Sequence, residues 1–266
     1  AFVAFTLSIG LAQLPFAQEI VLIGSLAIVT FLMQRLFREL PTDARNALIG
    51  TAVIIFAFRA VPLPGPGATW FEIDVLGFDQ HFLSILTLIT SGLALLGMVV
   101  LRPMMAKRSI AYVVVLLTIA AGILSLPNIG LYYGVHEWTA RWSAGIVDAR
   151  FIAILDTAVE SPLAQISMIP MLAWIAKNAP PHLKATFFAV MASFTNLALS
   201  ASQLGTKYLN QVFLVTREVT DPVSGQVEVP ADYSQLGNLM ISAMLIGLLL
   251  PLLAVVIVKL TRLKSA

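Results

Sequence analysis

The sequence predicts an all-α fold, a polytopic bundle of transmembrane helices, and three observations carry that prediction. Of its 266 residues, 59% are hydrophobic and only 11% charged, and the mean hydropathy is +0.91, a balance outside the range of soluble domains. The apolar residues fall in runs near the roughly 20 residues a helix needs to cross a bilayer, separated by short polar or Pro/Gly-rich turns. One such run, Asp148 to Lys177, carries Asp156 and Glu160 one helical turn apart. Carboxylates inside hydrocarbon cost about 2.5 to 3.5 kcal/mol even on lenient scales, so they face a partner or a water-filled cavity.

Composition also excludes several function classes. The net charge of +2 is too small for a nucleic-acid-binding surface, and the absence of cysteine removes disulfides, thiolate metal sites and cysteine nucleophiles. His81, His136 and His182 fall in separate loops or ends, so no metal site and no cofactor is expected. No paired motif for proteolysis, phosphoryl transfer or metal-assisted hydrolysis is present, and the chain is not read as an enzyme.

In order along the chain, Ala1 to Leu14 is apolar but short and reads as the end of a truncated span, so the sequence is expected to be a piece of a longer protein. Ile20 to Phe37 is a full span closed by Arg35, Arg38 and Glu39, followed by a polar loop to Arg45. Asn46 to Val61 forms the next span, which the run Pro62, Pro64, Gly65, Pro66 and Gly67 should end. Arg59 lies about 21 Å along that helix from Arg45, inside the outer part of the membrane, and needs a partner there. An acidic loop with Glu72, Asp74 and Asp79 leads into a span from Phe82 to Leu101, ending at Arg102 and Pro103. Ile110 to Leu126 is a span stopped by Pro127, and Leu131, Val135, Trp138 and Trp142 then recur at the spacing of an interfacial amphipathic helix.

The run that holds Asp156 and Glu160 also contains Pro162 and Pro170, each of which removes a backbone donor and should bend the helix. Ala185 to Phe213 carries Ser193, Asn196, Ser200, Gln203 and Lys207 in steps of three and four, one polar face of a long helix. Residues 214–229 alternate apolar and polar around DPVSGQ, the pattern of a small hairpin outside the membrane. Leu236 to Val258 is the last span, followed by Lys259, Arg262 and Lys264. Eleven of the 16 basic residues fall on one side of this threading, which makes that side cytoplasmic.

Residues 1–40 are thus expected to end one half of a transporter and 41–45 to form a cytoplasmic loop. Residues 46–266 should then form a six-helix domain of two inverted three-helix units, the arrangement of one half of a major facilitator fold, which the resemblance given next implies is the C-terminal half. Two stretches sharpen this. FAFRAVPLPGPGATWFEIDVLGFDQHFLSILTLITSGLALLG, starting at Phe56, and Asp156 with the MIP ending at Pro170 and APPHLKATFFAVMASFTNLA from Ala179 resemble the folate-biopterin transporter family, a branch of the major facilitator superfamily. The resemblance covers most of Asn46 to Phe213; Lys184 departs from it, standing where members carry an acidic residue.

The resemblance implies a secondary active transporter moving a small organic solute, a folate or pterin, by alternating access in the cell inner or plasma membrane. Its partners would be that solute, the lipid bilayer and the N-terminal half. Arg59 on helix seven and Asp156 and Glu160 on helix ten would line the central cavity, and Asn196 and Gln203 join them as substrate-binding candidates. Arg59 offers a planar fork to a carboxylate or a pterin edge. The alternative is a non-transporting membrane scaffold or assembly factor on the same fold.

Overall fold

The computed structural model describes residues 2–11, 14–164, 182–261 and 263, with side chains at 101–107 and 160–164 and at several positions before residue 11 excepted. Pro170 lies outside the described residues. Helices α1 (Phe2–Leu11), α2 (Ala17–Phe37), α3 (Thr42–Arg59), α4 (Pro66–Asp74), α5 (Gln80–Lys107), α6 (Ile110–Tyr132), α7 (Val135–Trp142), α8 (Ala149–Ala164), α9 (Lys184–Val212) and α10 (Leu236–Leu260) succeed one another, with strands β1 (Val219–Thr220) and β2 (Val227–Val229) between the last two. Among the described residues five helices, α2, α5, α6, α9 and α10, are long and apolar enough to cross a membrane. The protein is therefore an all-α, multi-pass integral membrane protein. Of the six spans expected from Asn46 onward, α3 has 18 residues and carries Asp43, Arg45 and Arg59, and α8 is described over 16 residues.

The bundle has two recognisable ends. At the basic end, Phe37, Leu40, Leu48, Ile110, Phe187 and Val258 belong to one buried cluster, so the turns around residues 40, 109 and 183 meet there. At the opposite end the hairpin, α4, the close of α6 and the start of α10 converge on a second cluster, Val215, Leu236 and Leu239. Between these ends α10 packs against α6 and α3, α9 against α2 and α3, and α5 against α8. Lipid tails are as apolar as leucine, so these helices associate through close packing rather than water exclusion. Gly122 shows the point: a Cβ there would strike the side chain of Leu248 on α10, so glycine sets how near α6 and α10 approach.

Four details differ from the sequence expectations. Helix α3 begins at Thr42, with Pro41 as its N-cap at φ −55° and ψ 150°, an extended conformation that proline's fixed φ allows just ahead of a first turn. Pro127 lies inside α6, which runs on to Tyr132; membrane helices tolerate proline where neighbouring groups satisfy the freed backbone. Leu131 accordingly belongs to α6 and is buried, leaving the amphipathic helix as α7, on which Trp138 and Trp142 are exposed with rings 6.0 Å apart. The acidic stretch after Gly67 is the helix α4 rather than a loop. Gly65, at φ 79°, turns the chain into it and Pro66 opens its first turn. The hairpin is present, narrowed to Val219–Val229 pairing and extended by a bridge from Thr216 to Asp232.

Candidate functional site

Arg59 ends α3, half-buried, and its Nε is buried with no hydrogen-bond partner among the described residues. Beyond it the chain runs through Val61, Pro62, Leu63 and Pro64 without regular structure, exposing carbonyls that must be satisfied where water is scarce. Helix α9 does this. Ser202 donates to the carbonyl of Val61 at 2.5 Å, the Thr206 hydroxyl accepts from Leu63 N–H at 2.9 Å, and Asn210 donates to the carbonyl of Pro64 at 3.1 Å. The three side chains stand four residues apart, one above the other on one face. At Gly65 a Cβ would lie 2.9 Å from Asn210 Nδ2, so glycine serves both the positive φ and this contact.

The expected polar stripe lies on another face of the same helix. Ser193, Asn196, Ser200, Gln203 and Lys207 are all exposed. The hydroxyls of Ser193 and Ser200 donate back to the carbonyls of Ala189 and Asn196. Lys207 pairs with Glu19 of α2 at 3.0 Å, and Tyr208 donates to the same carboxylate at 2.6 Å.

Asp156 is buried, 6% exposed, and accepts from Asn128 Nδ2 of α6 at 2.6 Å, an interhelical bond between α8 and α6. The side chain of Glu160 lies outside the described ones, and so does its expected pairing with Arg59. At its start α8 is capped by Asp148, which accepts from Phe151 N–H at 2.8 Å. Arg150 then reaches Asp79 at 3.1 Å and stacks over the Phe82 ring, fixing α8 to the entrance of α5.

Two features that the sequence reading missed lie at the hairpin end. The first is a fastening over α4. Arg217 donates to both oxygens of Asp74, from Nε at 2.9 Å and Nη2 at 2.8 Å, and Tyr233 donates to Asp74 Oδ2 at 2.6 Å. These donors hold the Asp74 carboxyl below its usual range, while burial and the neighbouring carboxylate push the Tyr233 phenol up to about 12. The Tyr132 hydroxyl joins α6 to the same place by donating to the carbonyls of Tyr233 and Ser234.

The second is a cavity of about 400 Å³ beneath α4, lined by the end of α3, α6 and α10. Its wall is mostly apolar, with Phe58, Phe71 and Met240 prominent, and Glu72, Thr118, Ser125 and Asn128 supply the polar groups. Burial raises the Glu72 carboxyl above its ordinary value. Thr118 is 1% exposed and its hydroxyl has no hydrogen-bond partner among the described residues. The steps of seven and three from Thr118 to Ser125 to Asn128 were available in the sequence as one helix face. Helix α4, which brings Glu72, was not. No group of three or more metal-ligating side chains occurs among the described residues.

Comparison with known proteins gives these positions a context. A family model described as the BT1 family matches residues 18–264. Over 154 residues the chain is 27% identical to a protein from Synechocystis sp. named "Folate-biopterin transporter". The match covers 58% of this chain and 30% of that relative, so it spans under a third of the relative's length. No solved structure matches the chain.

Proposed function

The chain belongs to the BT1 family, and on that premise we propose that it is part of a secondary active transporter that carries a folate or pterin across a membrane by alternating access. A transporter of this family and a multi-pass membrane architecture are the common ground; the solute is suggested by the name of the Synechocystis relative. In this reading residues 1–40 close one half of the transporter and 46–266 form the other, and the chain passes between them at the basic end, where α3 already begins at Thr42.

The observation that carries the proposal is the exposed polar face of α9. Ser193, Asn196, Ser200 and Gln203 are turned away from the packed bundle, on a helix of 29 residues that is apolar enough to span a bilayer. Amide side chains gain nothing from facing lipid and lose their water, so this face is suited to the wall of an aqueous path closed on its other side by the second half. Arg59, whose Nε is buried without a partner among the described residues, supplies a cation for an anionic or heteroaromatic solute. Glu160, one turn beyond Asp156 on α8, is assigned to the same path, while Asp156 holds α8 to α6 through Asn128.

The test is uptake of biopterin and of folate into proteoliposomes holding the full-length protein. Asn196→Leu with Gln203→Leu is expected to lower uptake at least about tenfold, the effect of losing one or two hydrogen bonds, with protein abundance retained. Absence of uptake by the parent protein would move the reading to the scaffold class, and unchanged uptake in the double variant would remove the α9 face from the path.

A further inference from the structure

The cavity under α4 does not share its lining with the polar face of α9. We propose that it is a binding site for an unconjugated pterin, in which Glu72 accepts hydrogen bonds from the 2-amino group and adjacent ring N–H of the heterocycle and Thr118 meets the hydroxylated side chain. This rests on the pterin reading of the preceding subsection and narrows it, since it selects a biopterin-like solute over a folate.

Size and wall chemistry come first. A volume of about 400 Å³ lies at the small end of the roughly 300 to 1,000 Å³ range of ligand cavities. The wall offers two aromatic rings, Phe58 and Phe71, and two flexible methionines, Met240 and Met244, surfaces suited to the faces of a flat ring. No Lys, Arg or His stands among the described lining residues, so the carboxylates of a folate tail would enter without a counter-ion.

The polar groups then define the ligand. Glu72 is set in apolar surroundings that disfavour its charge, as its raised carboxyl value reports. A ligand with two adjacent N–H donors satisfies both carboxylate oxygens at once, and the 2-amino-4-oxo edge of a pterin presents that pair. A purely apolar occupant would leave Glu72 dry and unpaired. Thr118 stands ten residues from Asn128 on α6, about 15 Å deeper along the helix axis, at the inner end of the cavity. Its buried hydroxyl, unpartnered among the described residues, can both donate and accept, as a hydroxyl of the ligand's side chain requires.

The experiment is fluorescence titration of the purified full-length protein with biopterin, with pterin lacking the side chain, and with lumazine, in which a carbonyl replaces the 2-amino group. Glu72→Gln should weaken biopterin and pterin about tenfold or more. Lumazine should bind the parent protein at least about tenfold more weakly than pterin. Thr118→Val should weaken biopterin several-fold and leave pterin unchanged. The elution profile of each variant reports folding, and the lumazine comparison needs no variant. If biopterin binds the parent but neither substitution alters it, or lumazine binds as pterin does, the cavity is not the site and the transport reading stands. If no pterin binds the parent protein, the substrate reading itself fails and takes this inference with it.

Discussion

Arg217 meets Asp74 side-on, with Nε 2.9 Å from one carboxylate oxygen and Nη2 2.8 Å from the other, so that the segment leading into the hairpin is fastened to the helix that roofs the cavity. Forked pairing of this kind is specific to arginine, since a lysine offers one point charge and no second parallel donor. Both side chains are part-exposed, at 43% and 28%, which limits the pair to about 1 kcal/mol or less.

Arg217→Lys should therefore leave the bundle folded and speed amide exchange in α4 by up to about fivefold, the equivalent of 1 kcal/mol. Hydrogen exchange followed by mass spectrometry reads this directly. Unchanged protection across 66–74 would mean that the apolar contacts of Phe71 with Tyr132 and Tyr233 hold α4 unaided.

The same fastening should respond to acid. Asp74 has its carboxyl lowered in the folded protein, chiefly by Arg217 and Tyr233. Its contribution is therefore complete above the ordinary aspartate value near pH 4 and is lost as pH falls through the lower folded value. Protease cleavage within 214–235 should be constant from pH 7 to about 5 and rise below about 4, and Asp74→Asn should be cut at neutral pH as the parent is in acid.

Glu72 has the opposite sign. Its carboxyl is raised by burial, so the folded state holds the proton more tightly than the unfolded chain, and stability falls as pH rises through the folded value. Glu72→Gln should raise the melting temperature of the ligand-free protein at pH 7.5, and the advantage should vanish near pH 4, where the parent carboxyl is protonated. Equal melting temperatures at both pH values would show that water reaches this carboxylate freely.

Asn210→Leu keeps the branched four-atom side chain but removes the donor to the Pro64 carbonyl. A carbonyl left dry costs about 1 to 3 kcal/mol, and thermal unfolding in detergent should report a loss in that range. Asn210→Asp, which replaces the donor with a second acceptor, should lose more than Leu does.

Arg59 and Glu160 are proposed to face the same path, and a mutant cycle examines this. Each single change to Ala should lower folding or uptake, by about 3 to 5 kcal/mol if the pair is buried, because the partner is left uncompensated. The double change should cost less than the sum of the two. Additive losses would separate the two residues.

The spans were legible because a bilayer demands length and apolarity together, and α2, α5, α6, α9 and α10 each supply both. The hairpin was legible from its alternation. Helix α4 was hidden because the residues at its entrance, Gly65 to Gly67, are those of a turn, and its nine residues become a helix by packing Phe71 between Tyr132 and Tyr233. Pro127 was read as a terminator because local propensity says so, whereas tertiary surroundings decide the matter inside a bundle. On α9 the stripe of Asn196 and Gln203 was visible from its spacing. The parallel row of Ser202, Thr206 and Asn210 follows the same period, but its meaning depends on the Val61 to Pro64 backbone beside it, which no spacing on α9 discloses. Arg59 was singled out because a cation in that run demands a reason, and its buried Nε still does.

That row of three hydrogen bonds also bears on how the molecule can move. Breaking all three at about 1 kcal/mol each would cost about 3 kcal/mol, leaving a detached arrangement populated at roughly one part in a hundred. The end of α3 and the adjoining turns of α9 therefore travel as a single stiff piece through any opening and closing cycle. The angular change that exposes one membrane face and then the other has to be taken up elsewhere, at contacts with less holding them together.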